Sequence, residues 1–143
     1  MPYRFRDDIA TADVAFDAWG GTLEAMFAAA AEALLHTLTL TPGTVVSRVE
    51  LEFTGEADAL DLLLLDYLQS FIFHKDARRL LLRPGPLRIE HAGGTWRLVA
   101  TARGETVDPS RHEPGTDVKA VTLHRLRAAF EDGAWRATVV LDV

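Results

Sequence analysis

"ADVAFDAWGGTLEAMFAAAAEALLHTL", residues 12–38, decides the fold. Its first nine residues alternate loosely between apolar and polar and stop at Gly20 and Gly21, the pattern of a strand ending in a turn. The periodicity then changes. Leu23, Met26, Phe27, Ala30 and Leu34 recur at helical spacing and make one apolar stripe. Thr22 is placed to cap that helix, Glu24 lies in its first turn, and the run of alanines favours helix and close packing. A strand that feeds directly into a helix is the unit from which the rest is read.

Outward from it, "VSRVELEFTG" (47–55 with the preceding Val46) alternates cleanly. Val49, Leu51 and Phe53 face one way and Arg48, Glu50 and Glu52 the other, as in a half-buried strand. Asp58 is expected to cap a second helix, whose buried face is Leu60, Leu63, Leu64, Tyr67, Leu68 and Phe71, ending near "FHKDAR". The second half reads mostly as strand. "LRIEH" and "TWRLVATARG" are joined by Ala92-Gly93-Gly94, and "DVKAVTLHRLRAAFE" and "AWRATVVLDV" by Asp132-Gly133, both hairpin signals. The order strand, helix, strand, helix, then strands predicts one α+β domain over residues 1–143, with two helices packed on a mainly antiparallel sheet.

Composition narrows the function. The net charge of −6 argues against a dedicated nucleic-acid binder, so no direct stable binding of RNA or DNA is expected. With no cysteine, disulfides, thiolate zinc sites and cysteine nucleophiles are excluded. "MPYRFRDD" lacks the apolar core of a signal peptide, and "LDLLLLDYL" is too short and too acidic to span a bilayer. A cytoplasmic protein is expected. Ser47, Ser70 and Ser110 sit in no nucleophile-elbow pattern, and there is no phosphate-binding glycine loop.

The chemistry concentrates elsewhere. "VDPSRHEPGTDVKAVTLH", residues 107–124, packs two aspartates, a lysine and two histidines between strands. Read as a strand, its end sets Lys119 on one face and His124 on the other. His112 and His124 are candidate site residues, against the plainer reading that each is a satisfied structural histidine. His36 and His74 fall near helix C-termini, where a cation is mildly favoured, and His91 precedes a hairpin turn. No histidine pair has the spacing of a helical metal site. Two aspartates stand at strand ends, Asp13 in "TADVAF" and Asp142 as the second-last residue. If those ends met, the carboxylates would repel or share a proton, a bound cation would relieve this, and oxygen-only ligation suits Ca²⁺ or Mg²⁺ better than zinc. The terminal carboxylate of Val143 would add another oxygen.

These stretches carry a resemblance. "ATADVAFDAWGGTLEAMFAAAAEALL" resembles the opening of archease, a His-Thr-Ala-Asp motif, a strand and a Gly-Thr-Leu-Glu helix start. "LLLLDYLQSFIFHKD" resembles its second helix, "VDPSRHEPGTDVKAVTLH" its Asp-Pro-x-x-His and Lys-Ala-Val-Thr-x-His block, and "DGAWRATVVLDV" its closing hairpin. The resemblance implies strand–helix–strand–strand modules and an accessory protein, not an enzyme. Its partner would be the GTP-dependent RNA ligase that joins 3′-phosphate or 2′,3′-cyclic-phosphate ends to 5′-hydroxyl ends in tRNA splicing and RNA repair. It would promote guanylylation of the ligase and multiple turnover. It also implies a divalent-cation site at Asp13, Asp142 and Val143, Ca²⁺ ahead of Mg²⁺, Mn²⁺ or Zn²⁺, with Lys119, His112 and His124 on the same functional surface. One departure stands out: Ala10 occupies the position of the family's motif histidine. Two other readings compete, a small metal-dependent phosphoester hydrolase using Asp13, Asp142 and His124, and a general chaperone or scaffold.

Overall fold

The computed structural model describes residues 2–9 and 13–143, so Ala10 lies outside the described residues. The elements run β1 (Tyr3–Arg6), β2 (Val14–Gly20), α1 (Leu23–Leu38), β3 (Val49–Ala57), α2 (Leu60–Arg78), β4 (Leu80–Ala92), β5 (Thr95–Thr106), β6 (Ala120–Val121), β7 (Arg127–Glu131) and β8 (Ala134–Asp142). The strands divide into two antiparallel sheets. One is ordered β1-β2-β8, with β6 and β7 both on the free side of β8; the other is β3-β5-β4. The expected α+β architecture of two helices on antiparallel strands is found, with two sheets in place of one.

Local chemistry accounts for the elements. The Thr22 side chain accepts from the Ala25 amide at 3.1 Å and caps α1, as its sequence predicts. Asp58 does not cap α2. Ala59 holds that position with no side-chain bond, and Asp61 instead accepts from the Leu62 amide at 2.8 Å. At the other end Arg79 takes the left-handed conformation (φ 55°), and its amide reaches back to the carbonyl of Lys75 at 2.9 Å. Both hairpins form where expected, with positive φ at Gly93 and Gly94 and at Asp132 and Gly133.

Three stretches depart from the sequence reading. β1 is added along β2, with Phe5 opposite Phe16. β4 begins at Leu80 and runs through Pro84-Gly85-Pro86 by slipping register between Pro84 and Leu87. The expected strand 117–131 is broken. Only Ala120–Val121 pair as β6, residues 123–126 turn, Arg125 adopts φ 54°, and pairing resumes at Arg127. His124 therefore sits in a turn, and strand alternation does not set its direction.

Both helices and the inner faces of both sheets share one core. Phe16 and Ala18 of β2 and Val139 and Leu141 of β8 meet Met26, Phe27 and Leu34 of α1. Leu63, Leu64, Tyr67, Leu68 and Phe71 of α2 close it against Phe53, Leu98 and Ala100. Phe53 and Phe71 meet edge to face at 5.1 Å. Residues 107–119 lead from the end of β5 to β6 in the first sheet, and Lys119 at their end reaches the candidate site.

Candidate functional site at a strand corner

β2 and β8 run antiparallel with Val14 opposite Leu141, so the register carried one residue further sets Asp13 opposite Asp142. The corner between these strand ends is completed from the other side of β8. There Ala120 pairs with Asp142, and the Lys119 amide donates to the Asp142 carbonyl at 2.8 Å. Asp13, Asp142 and Lys119 are all exposed, while Val143 is half-buried and packs on the core. Asp13 also borders an open cleft of about 590 Å³ shared with Asp7, His36, Thr37 and Thr116. Thus the register sets the main chains of Asp13, Asp142 and Lys119 at one corner, with Val143 next along the chain.

α2 is what lays residues 117–122 along β8. The ammonium of Lys75 donates to the Val118 carbonyl at 2.8 Å and to Asp117 Oδ1 at 2.6 Å. Gln69 Oε1 accepts from the Val121 amide at 2.9 Å, and Val118 is fully buried beneath. Thr122 binds the Val140 carbonyl through both its amide and its hydroxyl, each at 3.0 Å. Neither Lys75 nor Gln69 stands out in the sequence, because on a helix each reads as an ordinary polar position.

The rest of the ionisable stretch holds the connection in place. Glu105 is only 3% exposed, and its carboxylate collects the Val46 amide at 2.6 Å, Arg48, Arg111 and the His112 ring at 3.2 Å. The Arg111 hydrogen bond above all, then the Val46 amide, outweighs burial and holds the Glu105 carboxyl at about 2, against an ordinary 4.5. The Asp108 amide donates to His112 Nδ1 at 2.8 Å, which leaves Nε2 as the protonated nitrogen that donates to Glu105. His112 is thus a clamped, buried ring lying beneath the surface to which it was assigned. The loop then caps α1. Gly115 N–H donates to the Leu38 carbonyl at 3.0 Å and Thr116 N–H to that of Thr37 at 2.7 Å, partners for the helix's last free carbonyls. A Cβ on Gly115 would stand 2.2 Å from the Thr37 carbonyl oxygen, so only glycine permits this approach.

Among the described residues, no three His, Cys, Asp or Glu side chains gather as a metal-holding group. The oxygens that Asp13 and Asp142 offer at the corner are hard donors. His124 lies exposed in its turn and, among the described residues, makes no hydrogen bond or ion pair with Asp13 or Asp142. No helix of the described chain is long and apolar enough to cross a membrane.

Fold and site together define a two-sheet α+β protein that presents two carboxylates on an open strand corner. The chain belongs to the archease family: the model of the archease protein family matches residues 3–143. It is 33% identical over 134 residues to the archease of Pyrococcus furiosus, covering 93% of this chain and 94% of that one. To that of Methanopyrus kandleri it is 35% identical over 133 residues, with 93% and 94% covered. The solution structure of a Methanobacterium thermoautotrophicum protein superposes with a TM-score of 0.85 at 32% identity, covering 99% of each chain. A crystal structure of a Thermotoga maritima archease, described as a possible chaperone, shares the fold at TM-score 0.63 and 22% identity, with 96% of each chain covered.

Proposed function

We propose that this protein is a cytoplasmic accessory activator of a GTP-dependent RNA ligase, promoting ligase guanylylation and multiple turnover in tRNA splicing or RNA repair. Membership in the archease family supports an accessory role at an RNA ligase in broad terms. The observation that carries the finer reading is the meeting of Asp13 and Asp142 at one exposed corner, closed by the Lys119–Asp142 bond. Two carboxylates at neighbouring register positions repel unless a cation lies between them, and hard oxygen donors suit Ca²⁺. The residues that would hold it are Asp13, Asp142 and Val143. The cation would supply a fixed positive charge for ligase carboxylates or GTP phosphates.

The test is multiple-turnover joining of 3′-phosphate and 5′-hydroxyl RNA ends by the cognate ligase with GTP, with and without this protein. Strong stimulation by the wild type, lost in Asp13→Ala and Asp142→Ala, is expected. Stimulation that survives both substitutions overturns the cation mechanism. No stimulation overturns the activator reading. Metal-dependent turnover of phosphoesters without ligase would turn the assignment to a hydrolase.

A further inference from the structure

No helix covers the outer face of the five-stranded sheet, and its charge runs against that of the whole chain. Register places Arg4, Asp17, Thr138 and Arg127 in one row across β1, β2, β8 and β7. In the next row Trp19 stands opposite Arg136. These residues, with Arg6 and Glu131, line a cavity of about 260 Å³. Four guanidinium groups thus face two carboxylates in a chain whose net charge is −6.

The pairing within the cavity leaves cationic capacity over. Asp17 is taken by Arg6 at 2.9 Å and by the Thr138 hydroxyl at 2.9 Å, and Arg4 reaches it only at 3.4 Å. Asp8 grips Arg6 from outside at 2.7 Å, so Arg6 is committed. Arg127 pairs with Glu131 at 2.7 Å with its side chain 60% exposed. Arg136 Nε donates only to the Glu131 main-chain carbonyl, at 3.2 Å, and no carboxylate among the described residues pairs with its guanidinium. Arg4, Arg127 and Arg136 therefore keep donors turned to solvent.

The geometry points to a single-stranded RNA as the occupant, its phosphates on Arg4, Arg127 and Arg136 and a base against Trp19. Arginine's planar fork matches phosphate oxygens two at a time. Four strands at about 4.8 Å spacing span about 14 Å, room for more than one phosphate of an extended strand. Trp19 is half-buried opposite Arg136 in the lining of the same cavity, and an aromatic ring beside an arginine on an open sheet is a stacking platform for an unpaired base. An acidic peptide would use the arginines and leave Trp19 idle. The net charge of −6 keeps the contact weak and sensitive to salt, so it is not a stable complex.

The experiment is fluorescence anisotropy of a labelled oligouridylate with this protein alone, which makes it independent of the ligase reading. Binding at low salt is expected, with a log–log salt slope near −2 for about three phosphates at roughly −0.7 each. The Arg127→Ala/Arg136→Ala double variant should bind about tenfold more weakly, with an unchanged melting curve and circular dichroism. RNA should quench tryptophan emission in the wild type but not in Trp19→Phe. No binding at low salt, equal binding by the double variant, or quenching that survives Trp19→Phe overturns the proposal. Displacement of RNA by polyaspartate as readily as by unlabelled oligouridylate would also overturn it, in favour of an acidic protein partner.

Discussion

Lys119 donates its main-chain N–H to the carbonyl of Asp142 at 2.8 Å, so the end of the 107–119 connection is bonded to the end of the last strand. A segment that would otherwise be a surface loop becomes the third side of the corner at which Asp13 and Asp142 meet. Whatever binds there meets groups from three separate parts of the chain, held by main-chain hydrogen bonds and not by flexible side chains.

Calcium should stabilise this protein through that corner. At calcium a hundredfold above its dissociation constant, linkage gives about 2.7 kcal/mol, which is several degrees in Tm. The rise should vanish with EDTA and in Asp13→Asn/Asp142→Asn. In EDTA the double variant should melt no lower than the wild type, because it removes like charges at neighbouring positions. Differential scanning calorimetry with and without calcium checks both statements.

Lys75 should control the order of the segment beside Asp142. Its ammonium holds the Val118 carbonyl at 2.8 Å, and its side chain is 11% exposed. Lys75→Ala leaves that carbonyl without its partner, at a cost of about 1–2 kcal/mol. Hydrogen exchange should accelerate at the Lys119, Val121 and Thr122 amides while the amides of β2 stay protected. Uniform acceleration across the chain would contradict this local role.

Gly115→Ala should lift the loop from the end of α1. The added Cβ meets the Thr37 carbonyl oxygen at 2.2 Å and the Leu38 carbonyl carbon at 3.0 Å, which are backbone atoms that cannot rotate away. Overpacking of this kind costs about 1–3 kcal/mol, read as a lower urea midpoint with an unchanged slope.

Acid stability should depend on Glu105. Its folded pKa of about 2 lies below the ordinary 4.5, so its contribution is complete above about 4.5 and is lost as pH falls towards 2. Glu105→Gln should lower stability near neutral pH and make the acid limb shallower, with the two proteins converging near pH 2. Asp8, also held at about 2 by Arg6, and Asp108, held low by Ser110 and then Arg111, keep part of the limb in the variant. Urea unfolding as a function of pH measures the difference.

Much of this was readable along the chain, because local patterns were enough. The strand-to-helix switch at Gly20, the Thr22 cap, the apolar face of α2 and both hairpin turns are set by residues within a few positions of each other. The strand-end aspartates were also visible, since Asp is out of place in an apolar strand. Pairing between distant segments was not visible. The division into two sheets, the addition of β1 to β2 and the break after Val121 depend on which edges remain free once the helices have packed. For the same reason only the fold separated His112 from His124. His112 is buried because Glu105, seven residues earlier, is enclosed with it, whereas His124 falls on an exposed turn. The sequence by itself determined the elements and the chemistry they carry. Only the tertiary structure decided which of those groups meet, because a β ladder joins residues by register, and register is set by the packing of the whole sheet.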